Sequence, residues 1–173
     1  VRVVEPNVFG DHRGFFMESY QQQRYMESGI DTVFVQDNIS LSVRNTLRGL
    51  HYQHPRGQAK LVQVLQGEIF DVVVDIRKGS PTWGQWFGVT LSSDNKRQVF
   101  IPDGYAHGFC VTSETALFAY KCSDYYLPED EGGVRWDDPQ IGIQWPVKSP
   151  ILSDRDKNYS GLDAIPVDRL PVY

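Results

Sequence analysis

The chain has little cysteine, no long apolar run and no excess of positive charge. Its two cysteines, Cys110 and Cys122, lie in apolar or aromatic stretches, which predicts free core thiols rather than a disulfide framework. No run of about 18 apolar residues is present, and the first residues lack the apolar core of a secretion signal. The net charge is −5 and the 17 Lys and Arg are scattered, which argues against nucleic acid. We therefore expect a cytoplasmic protein that binds neither nucleic acid nor membranes.

Short segments of β character make up most of the chain. The chain has 173 residues, and we expect residues 1–173 to form a single domain. Turn residues separate the apolar runs, a pattern typical of an antiparallel sandwich or barrel. The predicted strands are Thr32–Gln36, Lys60–Leu65, Glu68–Asp75, Trp86–Leu91, Gln98–Ile101, Gly108–Thr112 and Ala116–Cys122.

Two segments depart from this β pattern. The capping-box spacing of Ser19 and Gln22, with Gly29 as a stop signal, predicts one short helix near the N-terminus. After Asp124 prolines recur, so the remainder is expected to form an extended C-terminal arm around the barrel.

Three strand-like segments carry polar side chains where apolar ones are usual. They are Leu47–Gln53, Gln58–Val62 and Pro102–Phe109. Arg48 and His51 are three positions apart, so a regular strand would place them on opposite faces. A bulge at Gly49 would bring them to one face.

Each candidate group has a structural alternative. His51 is either a buried structural histidine or a general base, and Lys60 is either a solvated edge residue or an oxyanion stabiliser. Tyr120 is either a core tyrosine or a proton donor. Asp156 either completes a helix cap or orients the imidazole of His51.

The spacing Pro102-x-Gly104-x-x-His107 matches the turn by which cupin-type barrels present a ligand histidine. The companion His-x-His pair is absent, because His51 and His54 are three apart. Lys60 follows where a carboxylate would be wanted, and a cation opposes metal binding. The sequence therefore favours a site without metal.

Several motifs in order resemble those of the dTDP-4-dehydrorhamnose 3,5-epimerases, from about Val3 to Asp156. They are Phe9–Glu18, Gln36–Ser40, Leu47–Gln53, Gln58–Val62, Phe70–Arg77, Gly79–Thr82, Ile101–Phe109, Tyr120–Tyr126 and Leu152–Asp156. The resemblance implies an all-β, cupin-like jelly-roll barrel. It also implies a homodimeric isomerase without cofactor, acting on a dTDP-4-keto-6-deoxyhexose.

The resemblance also implies roles for single residues. His51 matches the general base, Tyr120 the proton donor and Asp156 the aspartate paired with the base, while Lys60 matches the enolate-stabilising group. Tyr126 falls where a ring stacks on thymine. The other substrate-contact positions are Arg13, Glu18, Gln36, Asn38, Arg48, His107, Glu131 and Arg155. The family often has Lys at the position of Arg155, so the geometry of that contact differs here.

Other functions remain open at this point. Within the same fold, a 3-only or 5-only epimerase or a 3,4-ketoisomerase would use similar groups. A metal-dependent cupin enzyme would use His51, His54 and His107. A sugar-nucleotide binding module would bind dTDP without catalysis.

Overall fold

Twelve β-strands dominate the computed structural model, which describes residues 1–173. The strands are β1 (Arg2–Val4), β2 (Val8–Asp11), β3 (Gly14–Met17), β4 (Gln36–Val43), β5 (Leu47–Gln53), β6 (Lys60–Gln66), β7 (Glu68–Asp75), β8 (Trp86–Ser92), β9 (Gln98–Ile101), β10 (Tyr105–Val111), β11 (Thr115–Cys122) and β12 (Glu131–Gly133). The helices are α1 (Gln22–Glu27) and α2 (Asp154–Lys157), with 3₁₀ turns at Leu162–Ala164 and Val167–Arg169. No helix has the length and apolar character needed to cross a membrane.

The strands form two five-stranded antiparallel sheets and a separate hairpin. The first sheet has the order β1-β9-β6-β11-β4 and the second the order β12-β5-β10-β7-β8, while β2 pairs only with β3. A cluster of buried apolar residues joins the sheets, with Val62 on the first, Phe109 on the second and Phe118 on the first. The predicted all-β jelly-roll class is therefore confirmed.

The C-terminal arm covers the outer face of the second sheet. Leu162, Ile165 and Leu170 from the arm pack against Val72 and Val74 of β7. Burying these apolar side chains removes from water a sheet face that would otherwise be exposed.

Local signals placed two elements incorrectly. The N-cap of α1 is Gln21, whose side chain accepts a hydrogen bond from the Arg24 backbone N–H, so Ser19 does not begin the helix. The predicted strand Thr32–Gln36 is also wrong, because residues 32–35 are irregular and β4 begins at Gln36. Val33 and Val35 are exposed there, and a single backbone hydrogen bond, from Val35 N–H to Cys122 O, does not extend β4 over this segment.

The predicted bulge at Gly49 is confirmed. His107 pairs with His51, but Phe109 pairs with Arg48, so β5 has one extra residue between these two pairs. Gly49 has φ +135°, and a Cβ there would lie 2.5 Å from the Cα of Gly108, so only glycine fits. Arg48 consequently turns toward the first sheet, where its Nε donates to the Ser42 hydroxyl at 3.0 Å.

Candidate active site

A cavity of about 390 Å³ lies where the two sheets meet. It brings together most of the predicted site residues. Its lining is Gln36, Asn38, His51, Tyr52, Gln53, Gln58, Lys60, Tyr120, Tyr126, Glu131 and Arg155. A larger depression of about 520 Å³ around Trp83 and Gln140 contains one ionisable side chain, Asp163. The smaller cavity is therefore the candidate active site.

His51 and Asp156 form a hydrogen-bonded pair at one wall of the cavity. The Nε2–H of His51 donates to Asp156 Oδ1 at 2.6 Å. Ser153 caps α2 by accepting from the Asp156 backbone N–H, which fixes Asp156 in the first turn of the helix, beside His51. Burial acts to raise the pKa of Asp156, but hydrogen bonds from His51, the Ser153 side chain and the Gly49 backbone N–H outweigh it, so the pKa is lowered. Asp156 therefore stays ionised and leaves Nδ1 of His51 to accept a proton.

Lys60 begins β6 on the opposite sheet and lines the same cavity. Burial lowers the pKa of its ammonium group, while Cys122, Asp71 and Glu131 partly counteract this effect. Nζ of Lys60 donates no hydrogen bond to another group of the chain. The ammonium can therefore donate to an oxygen of a ligand.

Tyr120 lies on β11 of the first sheet, so its phenol and the imidazole of His51 come from facing sheets. Burial raises the pKa of Tyr120, and Cys122 adds to this while Arg48 opposes it. The phenol therefore remains protonated at neutral pH and can act as an acid.

A second group of polar side chains lies toward the mouth of the cavity. The hydroxyl of Tyr126 donates to Glu131, which also pairs with the Arg155 guanidinium. The side chain of Gln36 accepts from the Tyr126 backbone N–H at 3.1 Å and donates to Asn38 Oδ1 at 3.1 Å. These bonds hold an aromatic ring, a cation and two amides next to the acid and base groups.

Arg13 and Glu18 lie outside the cavity lining. Arg13 is at the turn of the β2–β3 hairpin, where its exposed guanidinium pairs with Asp11 at 2.6 Å. Glu18 pairs with Arg24 of α1 at 2.8 Å. Arg48 is also outside the lining, but it lies on β5 with His51, whereas Arg13 and Glu18 lie on segments that contribute nothing to the cavity.

His107, on β10 and paired with His51 of β5, does not line the cavity, and its ring stacks on Phe118 of the facing sheet. Its Nε2–H donates to Asp71 Oδ2 at 2.8 Å, and both side chains are buried. His54, the third histidine of the metal hypothesis, does not join them, and no group of three His, Cys, Asp or Glu side chains converges in the fold. His51 and His107 thus form two separate histidine–aspartate pairs.

The sequence reasoning missed Tyr159, whose ring lies 5.9 Å from the imidazole of His51 at an interplanar angle of 68°. It also missed Gln53, whose side chain accepts from the Leu127 backbone N–H at 3.0 Å and shapes the loop before β12. Gln53 follows His51 by two positions on β5, and this shared face was an available signal. Tyr159 lies in a polar loop, where no sequence pattern indicated a site residue.

Comparisons with known proteins point to one family. The family model for dTDP-4-dehydrorhamnose 3,5-epimerase matches residues 1–164. The chain is 50% identical over 168 residues to dTDP-4-dehydrorhamnose 3,5-epimerase of Methanothermobacter thermautotrophicus, covering 95% of this chain and 91% of that protein. It is 56% identical over 160 residues to the Shigella flexneri protein of the same name, covering 91% and 88%.

A solved structure gives the same result. It is the crystal structure of dTDP-6-deoxy-D-glucose-3,5-epimerase from Legionella pneumophila in complex with dTDP-4-keto-L-rhamnose. It is 55% identical to this chain and has a TM-score of 0.96, covering 99% of this chain and 92% of that one.

Proposed function

Because the chain belongs to the dTDP-4-dehydrorhamnose 3,5-epimerase family, we propose that it converts dTDP-4-dehydro-6-deoxy-D-glucose to dTDP-4-dehydro-L-rhamnose. One observation carries the proposal: His51 on one sheet, paired with Asp156 of α2, faces the protonated phenol of Tyr120 and Lys60 on the other sheet, around one cavity. Inversion of C3 and C5 requires such groups on both sides of the sugar ring.

The chemistry follows from the C4 carbonyl of the substrate. Hydrogens on C3 and C5 are both α to this carbonyl, so their removal gives an enolate at the C4 oxygen. Nδ1 of His51 takes the proton, and the electron pair of the broken C–H bond moves to the oxygen. The ammonium group of Lys60 stabilises the negative charge there. No electrons leave the substrate, so the reaction needs no redox cofactor.

Tyr120 completes the inversion. Its phenol gives a proton to the carbon from the face opposite His51, which converts the enolate back to the ketone with inverted configuration. Proton exchange with water then returns the phenol and the imidazole to their starting states. The same sequence of steps at the second carbon gives the doubly inverted sugar.

We assign the mouth of the cavity to the nucleotide. The ring of Tyr126 suits stacking on thymine, and the side-chain amides of Gln36 and Asn38 offer donors and acceptors to a base. Arg48 and Arg155 supply cations for the diphosphate, with Glu131 holding Arg155 in place.

We further propose that the protein acts as a homodimer. The outer face of edge strand β4 presents Ile39, Leu41 and Val43, all more than half exposed, and the β2–β3 hairpin exposes Phe9 and Phe16. Apolar patches of this kind are typical of interfaces, and an unpaired edge strand favours pairing with another chain. A second copy on this face would carry Arg13 and Glu18 of its hairpin toward the neighbouring cavity.

Proton NMR in D₂O tests the reaction. The wild-type protein should introduce deuterium at both C3 and C5 of dTDP-4-dehydro-6-deoxy-D-glucose and form the L-rhamno product. Deuterium at one carbon alone would instead identify a single-centre epimerase or a ketoisomerase. The variant His51→Ala should abolish exchange, whereas His54→Ala, a matched change of a histidine outside the cavity, should not. Full exchange by His51→Ala would overturn the assignment.

Sedimentation equilibrium tests the dimer. The variant Leu41→Asp places a charge in the apolar stripe and should give a monomer, while Asp37→Asn on the same strand should leave the dimer intact. Wild-type protein that sediments as a monomer at micromolar concentration would refute the proposal.

A further inference from the structure

Tyr159 lies against the general base but does not line the cavity. It follows α2 and comes three residues after Asp156 in the chain. Its half-buried ring meets the imidazole of His51 edge to face, with the ring centroids 5.9 Å apart. The ring therefore contacts His51 without being part of the cavity lining.

A glycine on β12 makes room for this ring. Gly133 pairs with His51 across the β12–β5 ladder. A Cβ at this position would lie 2.3 Å from the Cε2 and Cζ atoms of Tyr159, which is far inside van der Waals contact. The ring and the imidazole thus occupy neighbouring positions because residue 133 has no side chain.

The hydrogen bond to Asp156 does not by itself hold His51 in one orientation. It fixes the position of Nε2, 2.6 Å from Oδ1, but the imidazole can still tilt about the line joining these two atoms. A tilt would move Nδ1, the nitrogen that removes the proton, away from the substrate carbon. A ring set edge to face against the imidazole, with the centroids 5.9 Å apart, opposes that motion, and its bulk on that side limits the approach of water.

We propose that Tyr159 is a positioning residue that holds the imidazole of His51 against Asp156 and excludes water from that pair. This inference rests on the proposed function, in which His51 is the base. The aromatic ring is the part required. Burial raises the pKa of Tyr159 to about 12, so the phenol stays neutral and adds no charge beside Asp156.

Three variants test the proposal. Tyr159→Leu removes the ring, Tyr159→Phe keeps it, and Gly133→Ala pushes it away while leaving Tyr159 in the chain. Displacing a reacting group by about 1 Å lowers rates by up to about 100-fold, so Tyr159→Leu and Gly133→Ala should lower kcat about tenfold or more. KM should stay within about twofold, because the ring does not bind substrate. Tyr159→Phe should retain the wild-type kcat within about twofold.

A matched control is Tyr173→Leu, the same substitution at a tyrosine that packs on Arg77 far from the cavity lining. It should leave both constants unchanged. Thermal unfolding of each variant separates a folding defect from a positioning effect. If Tyr159→Leu does not fold, Gly133→Ala still displaces the ring in a chain that keeps all its large side chains.

Proton NMR of the substrate-free protein gives a readout that does not depend on turnover. The Nε2–H of His51, held in a short hydrogen bond, should give a low-field resonance protected from exchange with water in the wild type and in Tyr159→Phe. It should be lost in Tyr159→Leu. A Tyr159→Leu protein with wild-type kcat and a protected resonance would overturn the inference, as would equal losses in the Leu and Phe variants.

The two proposals fail in different ways. If the wild-type protein exchanges no hydrogen at C3 or C5, the proposed function fails, while the imidazole resonance still decides whether Tyr159 holds His51. If the wild type is active and the Tyr159 variants match it in both readouts, only the positioning role fails.

Discussion

Replacing Asp156 by asparagine removes the charge that faces His51 and keeps the size of the side chain. The carboxylate is 3% exposed and lies 2.6 Å from the imidazole nitrogen. A hydrogen bond between charged groups in such a setting contributes about 1.5 to 3 kcal/mol. The imidazolium forms only when His51 takes the proton, so this loss falls on the chemical step. At about 1.4 kcal/mol for each factor of ten, kcat should drop about 10- to 150-fold while KM stays within about twofold.

The assay is deuterium entry at C3 and C5 under saturating substrate. Asp154→Asn is the matched control, because Asp154 lies on the same helix with a side chain 97% exposed and paired with Lys157. It should retain the wild-type kcat. Equal kcat values for the Asp156 and Asp154 variants would refute the role of the His51–Asp156 pair.

The same pair makes stability depend on pH. The pKa of Asp156 is lowered from 3.8 in the folded chain, so the unfolded chain binds this proton more readily. The pair therefore stabilises the fold fully above the ordinary pKa, and the stabilisation is lost as pH falls through the folded-state pKa. In urea unfolding, the free-energy difference between wild type and Asp156→Asn should be constant above about pH 5 and shrink below it. A difference that grows on acidification would contradict this sign.

Three further substitutions change residues on the sheet that faces His51. Tyr120→Phe removes the proposed acid and should lower product formation by about 100- to 10,000-fold, while deuterium still enters the substrate through His51; equal loss of both would contradict separate roles. Lys60→Met should lower kcat by about 100- to 1,000-fold without loss of thermal stability, because burial already disfavours the ammonium. Phe118→Ala should lower the free energy of unfolding by about 3 to 5 kcal/mol in urea, since this ring is 2% exposed and its centroid lies 4.5 Å from that of Phe109. A loss below about 1 kcal/mol would show that the core refills the space.

The sheet architecture could be predicted because it is encoded by short-range patterns. Alternating and apolar runs bounded by turn residues located β6 to β9 and β11 to within one residue, whereas β10 begins at Tyr105 and not at the predicted Gly108. The bulge at Gly49 was also predictable, since the spacing of Arg48 and His51 conflicts with a regular strand and glycine stood between them. The prediction for 32–35 failed because the only β-type contact there is the Val35 backbone N–H on Cys122 O at 2.9 Å, and pairing is a long-range property.

The site residues that lie in recognisable motifs were predictable from the sequence, and the others were not. Residue types and the family resemblance singled out His51, Lys60 and Tyr120, and the structure brings them to one cavity. Local reasoning left a capping role open for Asp156, because it lies 105 positions after His51 and no local pattern shows their contact. The position of Tyr159 depends on Gly133 of β12, and no local sequence pattern indicates that these two residues are in contact.

The origin of the base and the acid in two facing sheets has a consequence for how such enzymes can diverge. The distance between the two proton-transfer groups is set by the thickness of the sandwich, and therefore by core side chains such as Phe118, which contacts both Phe109 and Tyr120. Loops can be lengthened or exchanged without changing this separation. A change in which carbon is inverted is thus expected to map to interior residues that shift one sheet relative to the other, so directed evolution of stereochemistry should sample the core before the rim.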